Sequence, residues 1–297
     1  MVKYIDIDAR DDGQRLDNCL MRELKGVPRQ HIYKVIRSGE VRVNGSRARA
    51  NTRLKGGDKV RIPPIRTRQE VPIRPSESLQ RSLLTSVIYE DADILAINKP
   101  SGIAVHGGSS ISSGVIEQLR LAQDNPRLEL VHRLDRETSG CLLMAKKPSV
   151  LKQLQKEFRE RRVKKIYELI VEGQWPKRAK VINAKLERFE THWGERRVRV
   201  SSRGQTAQTD FEIVHASENH TWLKARLHTG RTHQIRVHAA SQGCPISGDD
   251  KYGSKSSQTE LLLHASKLHV PWSGDALKLA APVPARFQDS WDAYTSP

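Results

Sequence analysis

Acidic side chains are scarce in this chain. Against 34 Asp and Glu stand 51 Lys and Arg, a formal net charge of +17 over 297 residues. Aromatic residues make up only 5%. The three cysteines, Cys19, Cys141 and Cys244, are an odd set with no CxxC spacing. That excludes a disulfide framework and a cysteine zinc site, and predicts three small buried hydrophobes in a reducing compartment. Long apolar runs are missing too. Cys141 to Ala145 and Leu261 to Leu263 fall far short of the about 20 residues a membrane span needs. The opening MVKYIDIDARDD has no apolar stretch behind a basic start, so no secretory leader is read. The expectation is a cytoplasmic chain of about two domains, with no membrane partner and a polyanion as its target.

The positive charge is uneven. From Arg22 to Arg74 fifteen basic residues face four acidic ones. A second run, LKQLQKEFRERRVKK at 151–165, holds seven basic and two acidic residues. A charge run is usually a solvated face, but the first is concentrated on a small module. In RLDNCLMRELKG (15–26), Leu16, Cys19, Leu20 and Leu24 share one helical face, with Asp11 or Asp12 as cap and Gly26 as stop. Pro28 opens a second helix with Ile32, Val35 and Ile36 inward, ended by Gly39. Val41 and Val43 then alternate into the Asn44-Gly45 turn, and LKGGDKVRIPP gives another short strand. Arg29, Lys34, Arg37 and Arg42 are left for the surface, where they are candidates for phosphate contacts.

The order RLD, helix, GEVRVNG and GDKV resembles the alpha-L RNA-binding module of a small-subunit ribosomal protein, which many RNA-modifying enzymes carry. A DNA-binding helix-turn-helix is the structural rival, but the VNG hairpin does not belong to it, so no DNA partner is expected. The domain boundaries expected are 13–74 for this module, 75–83 for a linker without periodicity, and 84–297 for a second domain.

The second domain reads as many strands and few helices. Strands are predicted at SVIYED, DILAINKP, KKIYELIVEG, 180–187, 196–201, 206–214 and 222–228, with a late hairpin at HASKLHVPWSGDALKLAAP. Tyr167, Leu169 and Val171 share a face. Ser149 is a candidate cap for an amphipathic helix carrying Leu151, Leu154 and Phe158. The fold class expected is α+β with a mixed, mostly antiparallel sheet.

Chemistry-bearing residues concentrate in two places. His132-Arg133-Leu134-Asp135-Arg136 is a polar run between apolar strands. It is either a salt-bridged corner or a carboxylate held ionised by guanidinium neighbours, hence a candidate nucleophile. TGRTHQIRVHAA carries Arg231, His233, Arg236 and His238. His228, His233 and His238 recur every five residues, a spacing that suits neither a helix nor a strand, and no metal site is expected. A metal-dependent nuclease would need clustered carboxylates that are not seen here.

HRLDRETSG (132–140) is similar to the signature of the large pseudouridine synthase family. NKPSGIAVHGG (98–108), VKKIYELIVEG (163–173), TGRTHQIRVHAASQGCPISGDDKYG (229–253) and LLLHASKLHV (261–270) fit in order, so the resemblance spans the chain from residue 84 on. Residues 184–205 fit less well. HGGSSISSGVIE, with the N-terminal module, points to the branch that modifies uridines of large-subunit (23S) ribosomal RNA. The resemblance implies isomerisation of uridine to pseudouridine, which gains and loses no atom and needs no cofactor. It implies Asp135 as nucleophile, Arg236 as its cationic partner, and Tyr167 as base and stacking surface. It also implies that Arg133 fills the position vacated by an extruded uridine, with Ile235 and His132 lining the pocket. Lys99 and the basic run at 152–165 are candidates for phosphate contacts. Ribosomal RNA is the partner expected, bound by a monomer. The alternatives are a sister synthase for other ribosomal or transfer RNA uridines, and a non-catalytic assembly protein.

Overall fold

A computed structural model describes residues 2–24, 26–65, 75–108, 113–253 and 260–296. The chain divides into two compact units, Met1–Pro72 and Ile73–Pro297. Among the described residues no helix is long and apolar enough to cross a membrane.

The first unit runs β1 (Lys3–Asp6), a 3-10 turn at Ala9–Asp11, α1 (Leu16–Glu23), α2 (Arg29–Arg37), β2 (Arg42–Val43), β3 (Ser46–Arg47) and β4 (Lys59–Ile62). Its sheet order is β1-β4-β2-β3. Leu16, Cys19 and Leu20 from α1 meet Ile32, Val35 and Ile36 from α2 over Val60 and Ile62 of β4. The helical faces are those the spacing predicts. The cap is not: the residue ahead of α1 is Arg15, with no side-chain cap, while Asp11 holds Arg22 at 2.7 Å. The buried Asp17 takes two bonds from Arg15, at 2.6 and 3.0 Å, and a third from the Tyr33 hydroxyl at 3.2 Å. The Arg15 guanidinium holds it below the usual carboxylate range. Arg29, Lys34 and Arg37 are exposed along α2, and Arg42 lies half-buried opposite Arg47 and Arg61.

The second unit runs α3 (Glu77–Thr85), β5 (Val87–Glu90), β6 (Ile94–Lys99), α4 (Val115–Ala122), β7 (Glu129–Leu130), β8 (Ser139–Ala145), α5 (Pro148–Arg159), β9 (Lys164–Glu172), β10 (Val181–Glu190), β11 (Arg196–Val200), β12 (Gln205–Ala216), β13 (His220–Leu227), α6 (Gln234–Ser241), β14 (Leu263–Trp272), β15 (Asp275–Ala280) and α7 (Ala285–Thr295). The sheet order is β11-β10-β12-β13-β9-β14-β8-β6-β5, with β15 on β14 and β7 on β8. Among the described residues every pairing is antiparallel except β14 with β8, where His264 faces Ser139 and Ala265 faces Gly140. A side chain at Gly140, whose φ is +112°, would overlap the Ala265 backbone, so that junction requires glycine. The α+β class with a mixed, mostly antiparallel sheet is what the sequence predicts.

Two local expectations fail. Residues 77–83, read as linker, belong to α3, while 66–74 lie outside the described residues. Ser76 caps α3 by accepting from Leu79 N, and Leu83 packs against Leu95, Ile97 and Leu119. The helix is nine residues long and buries little besides Leu79 and Leu83, too weak a periodicity to stand out. Ser149 is not a cap either. Lys147 precedes α5 and Pro148 takes its first position, where a missing N–H is harmless.

Two fully buried histidines lie in the core, His238 tying α6 to β12 and His264 tying β14 to β8 and to the segment after β15. His238 Nδ1 meets Thr209 Oγ1 at 2.9 Å; His264 lies between Ser139 Oγ at 2.9 Å and the Ala281 carbonyl at 3.2 Å. Burial pushes both down to about 4. Between pH 6.5 and 4 the unfolded chain binds protons that the folded chain refuses. Stability from these rings is complete above pH 6.5 and lost toward pH 4, by up to about 3 kcal/mol for each ring. Urea midpoints measured from pH 7.5 to 4.5 should therefore fall, and His264→Gln should flatten the slope. A flat wild-type profile would contradict neutral rings.

Candidate active site

The loop from β7 to β8 carries His132 to Thr138, and its backbone is clamped by the turn after β6. Lys99 is fully buried, and its ammonium donates to the carbonyls of Pro100 at 2.7 Å, Ile103 at 2.9 Å and Arg136 at 3.0 Å. Ser101 Oγ donates to Glu137 O at 2.8 Å, and Arg136 Nε donates to Gly102 O at 2.9 Å. Burial brings Lys99 down to about 7, against the pull of Glu137 and Asp135. This corrects the phosphate role expected of Lys99. All three donors of the ammonium are used inside the protein, and none faces a ligand.

Asp135 opens into a cavity of about 300 Å³ whose wall includes Arg133, Thr138, Lys165, Tyr167, Ile235 and Arg236. The sequence-predicted residues from three distant segments thus meet. Asp135 is the sole carboxylate in that lining, with 26% of its side chain exposed. His233 Nε2 lies 4.0 Å from it. Burial lowers the His233 pKa against the attraction of Asp135, and its Nδ1 meets the Tyr252 hydroxyl at 2.7 Å. Tyr167, on β9, is half-buried; burial first and the Asp135 charge second push its phenol above the usual value. Ile235 is buried in the wall, and Arg133 is exposed. Thr138 Oγ1 is buried without a hydrogen-bond partner and lines the same space.

Arg236 departs from expectation in its contacts. Its guanidinium grips Asp249 through Nε at 2.8 Å and a terminal nitrogen at 2.5 Å, and reaches Asp250 at 3.1 Å. Burial opposes its charge, but the carboxylates of Asp249, Asp135 and Asp250 keep its pKa raised. No hydrogen bond joins Arg236 to Asp135 among the described residues, so any support for the Asp135 charge acts through space. Asp249 was not singled out from the sequence. The signal available was the buried arginine itself, which requires a carboxylate.

His132 lines the cavity as a fixed neutral ring. Its Nε2 accepts from Leu143 N at 3.0 Å, it stacks on Phe158 at 4.9 Å, and burial holds its pKa at about 4. The basic run at 152–165 is split. Arg162 is tied to Glu157 and Glu160; Lys165, half-buried in β9, turns into the cavity. Arg236 and His238 lie on α6, a helix the sequence spacing did not suggest, entered through His233 at φ +52°. His228, His233 and His238 point to Asp210, Tyr252 and Thr209, and among the described residues no three metal-type ligands converge. Part of HGGSSISSGVIE, residues 109–112, lies outside the described residues.

Comparison with known proteins gives the family. Residues 93–241 match the family described as RNA pseudouridylate synthase, and 14–60 match the S4 domain. "Ribosomal large subunit pseudouridine synthase C" of Pasteurella multocida (strain Pm70) is 46% identical over 295 residues, covering 95% of this chain and 90% of that protein. The Escherichia coli (strain K12) protein of the same name is 44% identical over 297 residues, covering 95% and 93%. The solved structure of Human RNA Pseudouridylate Synthase Domain Containing 4 matches with a TM-score of 0.60 at 26% identity, covering 72% of this chain and 94% of that one.

Proposed function

The chain belongs to the RNA pseudouridylate synthase family and is an isomerase of that kind, and from that premise we propose that it converts specific uridines of large-subunit ribosomal RNA to pseudouridine, with Asp135 as nucleophile. The observation that carries the residue assignment is the cavity whose lining holds one carboxylate, Asp135, opposite Tyr167 and Ile235. The names of the relatives support the substrate.

Uridine in structured RNA is extruded into the cavity, at a cost of a few kcal/mol. Arg133, exposed at the mouth, takes the vacated place in the stack. Asp135 attacks, at carbon six of the base or at the anomeric carbon, and the N1–C1′ bond breaks. The base turns, C5 bonds to C1′, the C5 proton leaves, N1 gains a proton, and the carboxylate is released. Nothing is oxidised or reduced, so the reaction calls for no cofactor. Tyr167 accepts the C5 proton. The base is its phenolate, whose formation burial opposes first and the Asp135 charge second, and covalent capture of that carboxylate removes the second of these. Arg29, Lys34, Arg37 and Arg42 on the first unit supply phosphate contacts that hold the RNA. The enzyme acts as a monomer in the cytoplasm.

Carbodiimide mapping of large-subunit ribosomal RNA from a deletion strain tests the proposal. Discrete pseudouridines should disappear and return with the wild-type gene. If every site persists while sites in transfer RNA vanish, the substrate is wrong.

A further inference from the structure

A second cavity of about 370 Å³ lies between the β10–β11 hairpin and the turn before α6, outside the pocket that holds Asp135. The two cavities share Arg188, Gly230, Arg231 and Thr232 along a common wall. Three guanidinium groups line the second one, from Arg188, Arg203 and Arg231. The one carboxylate in its lining, Glu187, is engaged by Arg199 at 3.1 Å. Arg188 is steadied by Thr232 Oγ1, and Arg231 Nε donates to Thr206 O at 3.2 Å. Among the described residues the Arg203 guanidinium makes no hydrogen bond, and it acts on Glu187 through space only. The common wall borders open space at Gly230, where a Cβ would meet nothing within 4 Å.

We propose that this cavity binds the phosphodiester next to the reacting uridine, through Arg188, Arg203 and Arg231. The inference rests on the function proposed above and names a subsite for its substrate. A nucleotide turned into the uridine pocket stays joined to its neighbours, so its backbone leaves over the pocket's rim. The rim at Gly230 leads into a cleft with three planar cations and no free carboxylate. Guanidinium forks match phosphate oxygens in bidentate geometry, whereas a neutral base gains little from three of them. The residues involved include part of 184–205, where the resemblance to the wider family is weakest, and a phosphate contact there would fix the position of the RNA rather than read its sequence.

Arg203 lines only the second cavity and serves as the test. The substrate is a transcript of the large-subunit RNA stem-loop whose uridine the mapping identifies. Arg203→Gln should raise KM about fivefold to tenfold with kcat changed less than about twofold, and Arg203→Lys should recover most of the loss. The slope of log kcat/KM against log salt should become shallower by about 0.7 to 0.9, one phosphate contact. A neutral methylphosphonate beside the target uridine should weaken the wild type more than Arg203→Gln does, and should weaken Arg203→Gln by less than it weakens the wild type, since only Arg188 and Arg231 remain to be lost. Wild-type KM and salt slope in Arg203→Gln would overturn the subsite while leaving the function intact. Filter binding of the same RNA in the Asp135→Asn background reads the contact without turnover. If wild type forms no pseudouridine, that binding still decides the subsite, so the two readings fail separately.

Discussion

Asp135→Asn should abolish pseudouridine formation, lowering kcat by about 10⁴-fold or more, while RNA affinity stays within about threefold of wild type. Asparagine keeps the size and most of the polarity but supplies no anionic oxygen. The loop itself should survive, because Lys99, Ser101 and Arg136 fix it through backbone groups rather than through the Asp135 side chain. Thermal unfolding of the variant should therefore match wild type. Single-turnover assays on the mapped RNA, paired with filter binding, separate lost chemistry from lost affinity. A variant that turns over at a tenth of the wild-type rate would rule out Asp135 as nucleophile.

Asp249→Asn should destabilise the second unit by about 3–5 kcal/mol. The Arg236 and Asp249 side chains are 3% and 0% exposed, and Asp249 supplies both oxygens of the bidentate pair. Removing that charge leaves a buried guanidinium with Asp250, whose side chain is 73% exposed, in ion-pair range and Asp135 acting through space. Asp250→Asn, in contrast, should change stability by less than about 1 kcal/mol. Urea unfolding of the two variants provides the comparison. Equal losses would show that the buried pair carries no special weight. Activity should fall with Asp249→Asn as well, since Arg236, in the first turn of α6, and His233, at its start, both line the cavity of Asp135.

Strongly patterned segments were legible before the structure. The apolar faces of α1 and α2 and the period-two strands could be read from spacing alone. The gathering of Asp135, Tyr167, Arg236 and Ile235 in one pocket could not be read from spacing; it was implied by the resemblance to the pseudouridine synthase family. Features that depend on partners far away in the chain were not legible. Lys99 reads as a surface cation until the carbonyls of Ile103 and Arg136 are seen around it. Arg236 reads as the mate of Asp135, but its charge is held by Asp249, thirteen residues further on. The α3 helix escaped notice because its signal is two leucines and a serine cap. The turn into α6 depends on a left-handed histidine, and a histidine rarely announces that conformation.

The short parallel pairing of β14 with β8 has a consequence for how the enzyme is made. It joins residues about 125 positions apart, and it is the seam between the half of the sheet that carries the Asp135 loop and the half that carries Tyr167 and Arg236. A growing chain that has emerged only through residue 250 already contains all three, yet has no strand to lock the halves together. Long-range pairing of this kind is slow and closes late. Closure of the pocket therefore waits until β14, Leu263–Trp272, has left the ribosome, and a chain that stops at residue 250 should be inactive.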